Sequence, residues 1–145
     1  MTAPAKGLVL DANILIRLVL GPRVRELLIE HLDTVAFFAP AECFEDARRY
    51  LPGLLIRRGV DPTAALQVLD LFEGLVQPLD ESVYLSERDD ALARIGRRDQ
   101  QDWPILAAAL VLNCPIWTED QDFFGTVVPT WTTDRVAIYL KDTSS

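Results

Sequence analysis

The stretch Leu8-Val9-Leu10-Asp11-Ala12-Asn13 decides the fold. A short apolar run ends in an acidic residue, and an amphipathic segment follows with Ile14, Leu15, Leu18 and Val19 at helical spacing and Gly21-Pro22 as its stop. The pattern predicts a buried first strand whose end carries Asp11, with Asn13 at the start of a helix. In an open α/β sheet, ligands bind beyond the carboxyl ends of the strands, where Asp11 would stand. Asp is also a favoured N-cap, because its carboxylate accepts backbone N–H bonds. Taken alone, Asp11 reads as that cap; chemistry at this position needs other groups at the same edge.

Working outward, Val24, Leu27, Leu28 and Leu32 predict a helix over about Arg23 to Leu32, with His31, the one histidine, near its end. A histidine there answers the helix dipole and has no catalytic weight. Thr34 to Pro40 reads as a second buried strand. The helix after it carries Glu42, Cys43, Phe44, Ala47, Tyr50 and Leu51, and Pro52-Gly53 is expected to break or kink it before a last turn or two through Arg58. Asp61-Pro62 opens the next helix, which Gly74 ends. Leu75 to Pro78 is a weaker third strand. A single helix is expected over about Glu81 to Ile95, with Tyr84, Leu85, Ala91, Leu92 and Ile95 inward and Gly96 as terminator.

After the polar loop Arg97 to Gln101, a helix runs from about Asp102 to Leu112, apolar nearly all round and therefore buried. Cys114 to Thr118 is a fourth strand, followed by Glu119-Asp120-Gln121-Asp122 and a turn at Phe123-Phe124-Gly125. Val127 to Trp131 is expected as an edge strand, and Thr133-Asp134 to cap a closing helix through Leu140. Strands alternating with helices argue for a parallel sheet covered on both faces.

Composition bounds the function. A chain of 145 residues, half hydrophobic and a quarter charged, has the length of a single soluble domain. No apolar run approaches the ~18 residues of a membrane helix. Met1 to Lys6 lacks the basic start and apolar stretch of a secretory signal, so cytoplasmic residence is the expectation. Cys43 and Cys114 have no metal-motif spacing and read as buried free thiols. With 22 acids against 14 bases the net charge is −8, which excludes a broad basic nucleic-acid face. The pairs Arg48-Arg49, Arg57-Arg58 and Arg97-Arg98 remain as local phosphate contacts or as solvated helix surface.

The acids are arranged more tellingly. Asp11 ends strand one, Glu42 opens the helix after strand two, Asp102 opens the helix before strand four, and Asp120 follows strand four with Asp122 two residues on. All these positions belong to one edge of a parallel sheet. Each acid singly has a helix-capping reading, but four together oppose one another's ionisation unless a cation joins them. Hard divalent cations take oxygen ligands. With Mg²⁺ or Mn²⁺, such a site suits phosphodiester hydrolysis, since the ion orients and acidifies a water and offsets charge on the phosphate oxygens. No serine–histidine–aspartate set and no glycine-rich phosphate loop competes.

Here the chain resembles the PIN-domain ribonucleases. The likeness rests on Leu10-Asp11-Ala12-Asn13-Ile14, on Ala41-Glu42, on Asp102 with Ile105, Ala107 and Ala108, and on Thr118-Glu119-Asp120-Gln121-Asp122-Phe123. The ordered set covers nearly the whole chain. The resemblance implies a three-layer α/β/α sandwich with a five-stranded parallel sheet, the first strand central. It implies a Mg²⁺- or Mn²⁺-dependent endoribonuclease in which Asp11, Glu42, Asp102 and Asp120 are the catalytic, metal-holding acids. Asp122 carries over as an auxiliary acid, and Asn13 and Thr118 as supporting polar groups. Many bacterial members are toxins of VapC type, dimeric and held by a cognate antitoxin, so a homodimer and an antitoxin partner join the RNA substrate as expectations. Asp99 is a rival for the third acid, and Glu45 or Asp46 for the second.

Two other classes compete. A non-catalytic domain of the same fold would only bind RNA or protein. A phospho-aspartate receiver or phosphatase also uses an acidic strand end with Mg²⁺. The receiver needs a lysine after a late strand, and none lies between Lys6 and Lys141; the phosphatase needs an acid where Asn13 stands.

Overall fold

The computed structural model describes residues 6–142. Met1 to Ala5, part of the stretch read above for a secretory signal, lies outside the described residues. Strands β1 (Lys6–Leu10), β2 (Val35–Pro40), β3 (Val76–Leu79), β4 (Ile116–Trp117) and β5 (Thr130–Trp131) form one sheet in the order β3-β2-β1-β4-β5. Every pairing is parallel. The α/β fold with a five-stranded parallel sheet and a central first strand is thus as expected.

The helices follow from the strand order. Helices α1 (Ala12–Leu20), α2 (Pro22–Glu30), α3 (Ala41–Arg57) and α4 (Pro62–Phe72) lead the chain outward from β1 to β3 and pack against one another. The chain then returns across β1 through α5 (Glu81–Tyr84), a 3₁₀ turn, α6 (Arg88–Ile95) and α7 (Trp103–Leu112). Right-handed crossovers in opposite directions put the two groups on opposite faces of the sheet. Helix α7 lies directly on β1, β2 and β4, so its run Pro104 to Ala109 is buried throughout. Alanines let it come close. Gly7 answers a similar demand within the sheet, since a Cβ there would stand 3.1 Å from the Phe38 ring.

The last helix, α8 (Val136–Lys141), is fastened to the start of β1. Lys6 Nζ donates to the Tyr139 carbonyl at 2.6 Å and to that of Asp142, and Tyr139 Oη donates to the Gly7 carbonyl at 2.8 Å. The Lys6 ammonium also lies 4.8 Å from the Tyr139 ring centre, and Trp131 stacks against the same ring at 6.0 Å between centres.

Three local expectations are corrected. Pro52 does not break α3, which is one helix to Arg57; Leu51 and Leu55 are both buried and hold the two sides of the proline to the core. The expected helix over 81–95 is divided by a 3₁₀ turn at Leu85–Glu87, which tightens the winding. Leu85 therefore points outward at 49% exposure, while Tyr84, Ala91 and Ile95 face in. Val127, expected in a strand, stands at φ 69° in the loop before β5, a conformation β-branched residues rarely take. Cys43 and Cys114 are buried and free, as read.

Candidate metal centre

Register builds the site. The pairing of Leu10 with Trp117 sets Asp11 beside Thr118 just past the strand ends. On the other flank Val9 pairs with Phe38, so β2 reaches the same edge at Pro40 and α3 begins there, placing Glu42 in its first turn. Asp102 ends a 3₁₀ turn (Gln100–Asp102) and is the residue before α7. Asp120 opens a further 3₁₀ turn (Gln121–Phe123) after β4.

Asp11, Glu42, Asp102 and Asp120 line one cleft of about 190 Å³, together with Asn13, Cys43 and Asp46. Asp11 is the most buried of the acids, 5% exposed. It does act as a cap, one carboxylate oxygen accepting the Ile14 N–H at 2.9 Å. Its other oxygen accepts the Thr118 hydroxyl, and that hydroxyl oxygen in turn accepts the Asp120 N–H at 2.9 Å. Asp120 accepts the Asp122 N–H at 2.9 Å. The chain of bonds from α1 through Thr118 to the 120–122 turn fixes three acids relative to one another.

The electrostatics are those of charge held out of water. Burial pushes the Asp11 carboxyl up to about 6, with Asp120 and Glu119 adding to the effect and the Thr118 and Ile14 bonds opposing it. Burial likewise raises Asp102 to about 7, and Asp99, Asp120, Asp11 and Asp122 all push the same way. Glu42 is raised by burial and then by Asp46, Glu45 and Glu81, against which Arg49 acts. Burial first, then neighbouring carboxylates including Asp11, lifts the Cys43 thiol well above its usual range, so it stays protonated.

The donor set fits a hard cation. Carboxylate oxygens of Asp102, Asp120 and Asp122 all lie within 4.8 Å of one another. That spacing is within reach of one Mg²⁺ or Mn²⁺ ion, to which these three acids would offer oxygen ligands. Asp122, assigned only an auxiliary part from sequence, thus stands in the tightest group. Asp46 lines the same cleft as Glu42, one helical turn on, whereas Glu45 and Asp99 line an adjoining groove instead. Asn13 lines the cleft, and Thr118 serves through Asp11 and Asp120.

Of the arginine pairs, two members are committed elsewhere. Arg48 ties α3 to Asp70 and Glu73 at α4. Arg98 donates to the Asp122 carbonyl at 2.8 Å and to that of Phe124, clamping the acid-bearing turn from below. Gly125, at φ +84°, leaves room for this guanidinium, which a Cβ would meet at 3.3 Å. Sequence reasoning missed the clamp; its only trace was an arginine before the site and a glycine after it.

The residue pattern of the PIN domain matches residues 9–141. The fold is similar to PAE2754 from Pyrobaculum aerophilum, with 18% identity, a TM-score of 0.71, and 94% of this chain and 90% of that one covered. It is similar to VapBC2 from Rickettsia felis, solved bound to a DNA fragment from their promoter, at 12% identity and a TM-score of 0.64, covering 87% and 98%. FitAcB from Neisseria gonorrhoeae matches at 24% identity and a TM-score of 0.54, covering 87% and 97%. At these identities the likeness is one of fold. No curated protein matches the chain. No helix among the described residues is long and apolar enough to cross a membrane.

Proposed function

The chain belongs to the PIN domain family, and from that premise we propose that it is a Mg²⁺- or Mn²⁺-dependent endoribonuclease that hydrolyses RNA phosphodiester bonds. The observation that carries this reading is the convergence of Asp11, Glu42, Asp102 and Asp120 in one cleft, with Asp122 beside the last two. Carboxyls raised by burial and by each other are poorly placed to ionise alone, and a divalent ion removes that cost. When bound, such an ion supplies positive charge for the phosphate oxygens and acidifies a water. Asp102, Asp120 and Asp122 would hold it together with Asp11, which Ile14 and Thr118 pin at the cleft floor. Glu42, lining the same cleft, would accept a proton from the attacking water.

Residues 1–145 are read as one such domain, acting in the cytoplasm. The resemblance to VapC-type toxins extends the reading to a homodimer silenced by a small antitoxin protein, and the fold shared with VapBC2 and FitAcB supports it. The test is cleavage of a labelled oligoribonucleotide by the purified chain with Mn²⁺. Wild type should cleave, and EDTA or Asp11→Asn should abolish the activity. Equal cleavage by Asp11→Asn would remove Asp11 from the site. A Mn²⁺-dependent rise in thermal stability with no cleavage would favour a binding domain.

A further inference from the structure

One aromatic side chain at the cleft has no structural employment. Glu42, Asp46 and Tyr50 follow one another at helical spacing on α3, and all three line the cleft. The Tyr50 residue is 59% exposed, and among the described residues it has no hydrogen bond, ion pair or ring partner. A second groove, walled by Glu45, Asp80, Glu81 and Asp99, adjoins the first. Tyr50 and Gln101 line both, Tyr50 from α3 and Gln101 from the turn before α7. Glu42, Asp46 and Asp102 also line both, so the two grooves meet at the acids and at Tyr50.

We propose that Tyr50 is the stacking platform for an unpaired nucleobase next to the phosphate held at the acids; the proposal rests on the ribonuclease reading. Beyond the phosphate at the acids, basic side chains offer little grip along the two grooves. The net charge is −8, and Arg49, the one base lining either groove, is paired with Asp46 at 3.5 Å. Stacking needs no cation, since every base has a π-face to offer. A paired base keeps its faces inside the duplex, so the platform selects single-stranded RNA. The Gln101 side chain, exposed and lining both grooves, offers both an amide donor and an acceptor to a base edge.

The test compares wild type with Tyr50→Ala, Tyr50→Phe and Tyr50→Trp in Mn²⁺-dependent cleavage of a single-stranded oligoribonucleotide and of its duplex. Tyr50→Ala should raise KM by roughly 5- to 150-fold and leave kcat unchanged. Phe and Trp should restore wild-type values, the duplex should be cut poorly by all four, and the salt dependence of KM should be the same for wild type and Tyr50→Ala. A Phe variant as impaired as Ala, an unaltered KM for Ala, or a shifted oligomeric size with cleavage intact would overturn the platform; the last would make Tyr50 a protein contact. A second arm reads stacking without chemistry, by quenching of a single-stranded RNA carrying 2-aminopurine. Quenching by wild type but not by Tyr50→Ala supports the platform even if nothing is cleaved, in which case only the ribonuclease reading falls. Absence of quenching by wild type overturns the platform.

Discussion

Asp11→Asn separates the charge at the cleft floor from the hydrogen bonds made there. In the metal-free protein, burial holds the Asp11 carboxyl near 6 rather than at its ordinary 3.8. A carboxyl raised on folding favours the native state below its unfolded pKa, and that advantage is lost as pH rises through the folded value. At pH 8 the ionised, nearly inaccessible group therefore destabilises the fold by on the order of 3 kcal/mol. Asparagine removes the charge and keeps a carbonyl for the Ile14 N–H. Its amide can donate to Thr118 Oγ1, but the Thr118 hydroxyl loses its carboxylate acceptor, a cost of about 1 kcal/mol. The balance is a gain of about 2 kcal/mol, or roughly 4–8 °C in Tm for a chain of this size. At pH 5 the gain should be about 1 kcal/mol smaller, because wild-type Asp11 is then mostly protonated in the fold. Urea melts in EDTA at the two pH values, followed by circular dichroism, read both numbers. With Mn²⁺ the order reverses, since wild type gains about 2.7 kcal/mol at a hundredfold excess over its Kd and the variant does not. A variant less stable than wild type by the same amount at pH 5 and pH 8 would refute the reasoning, leaving Asp11 as an ordinary helix cap.

Thr118→Val should cost about 1–3 kcal/mol in urea melts, because one Asp11 oxygen and the Asp120 N–H both lose their partner in a buried place. Arg98→Ala acts differently: its guanidinium is exposed, so metal-free stability should fall by no more than about 1 kcal/mol, while the Mn²⁺ midpoint in a thermal-shift titration moves to higher concentration as the Asp122 turn loosens. Ala108→Leu puts a larger side chain where α7 meets the sheet and should destabilise by about 1–3 kcal/mol, measured as a lower urea midpoint with unchanged slope.

Sequence carried the sheet and the acids because both are written in local patterns. The apolar runs before Asp11 and after Thr34 are long enough to show themselves, and Asp11, Asp61 and Asp80 cap their helices as short polar side chains do. Strands β4 and β5 were legible within Cys114 to Thr118 and Val127 to Trp131, but only two residues of each pair in the sheet, an extent set by register with β1 and with each other. Val127 and Val128 suggest a strand by composition, yet the loop geometry overrules that preference at Val127. Leu85 misled because its spacing assumes one unbroken helix, and the tightened turn carries it outward while Ala91 and Ile95 behind it stay inward. The convergence of the acids was legible as topology; which oxygens come within reach of one ion was not, since that depends on the 120–122 turn and its clamp from Arg98. Arg98 is far from that turn in sequence, and no periodicity links the two.

The seam between Lys6 and the Tyr139 region has a practical corollary. Strand β1 rises for five residues from that seam to Asp11, about 16 Å at the usual rise per residue. Both ends of the described chain therefore lie together at the pole opposite the acids. A linker grafted from residue 142 to residue 6, with new termini opened in an exposed loop, gives a circular permutant with its acidic mouth undisturbed. For the same reason a copy tethered to a sensor surface at either end would display that mouth outward to solution.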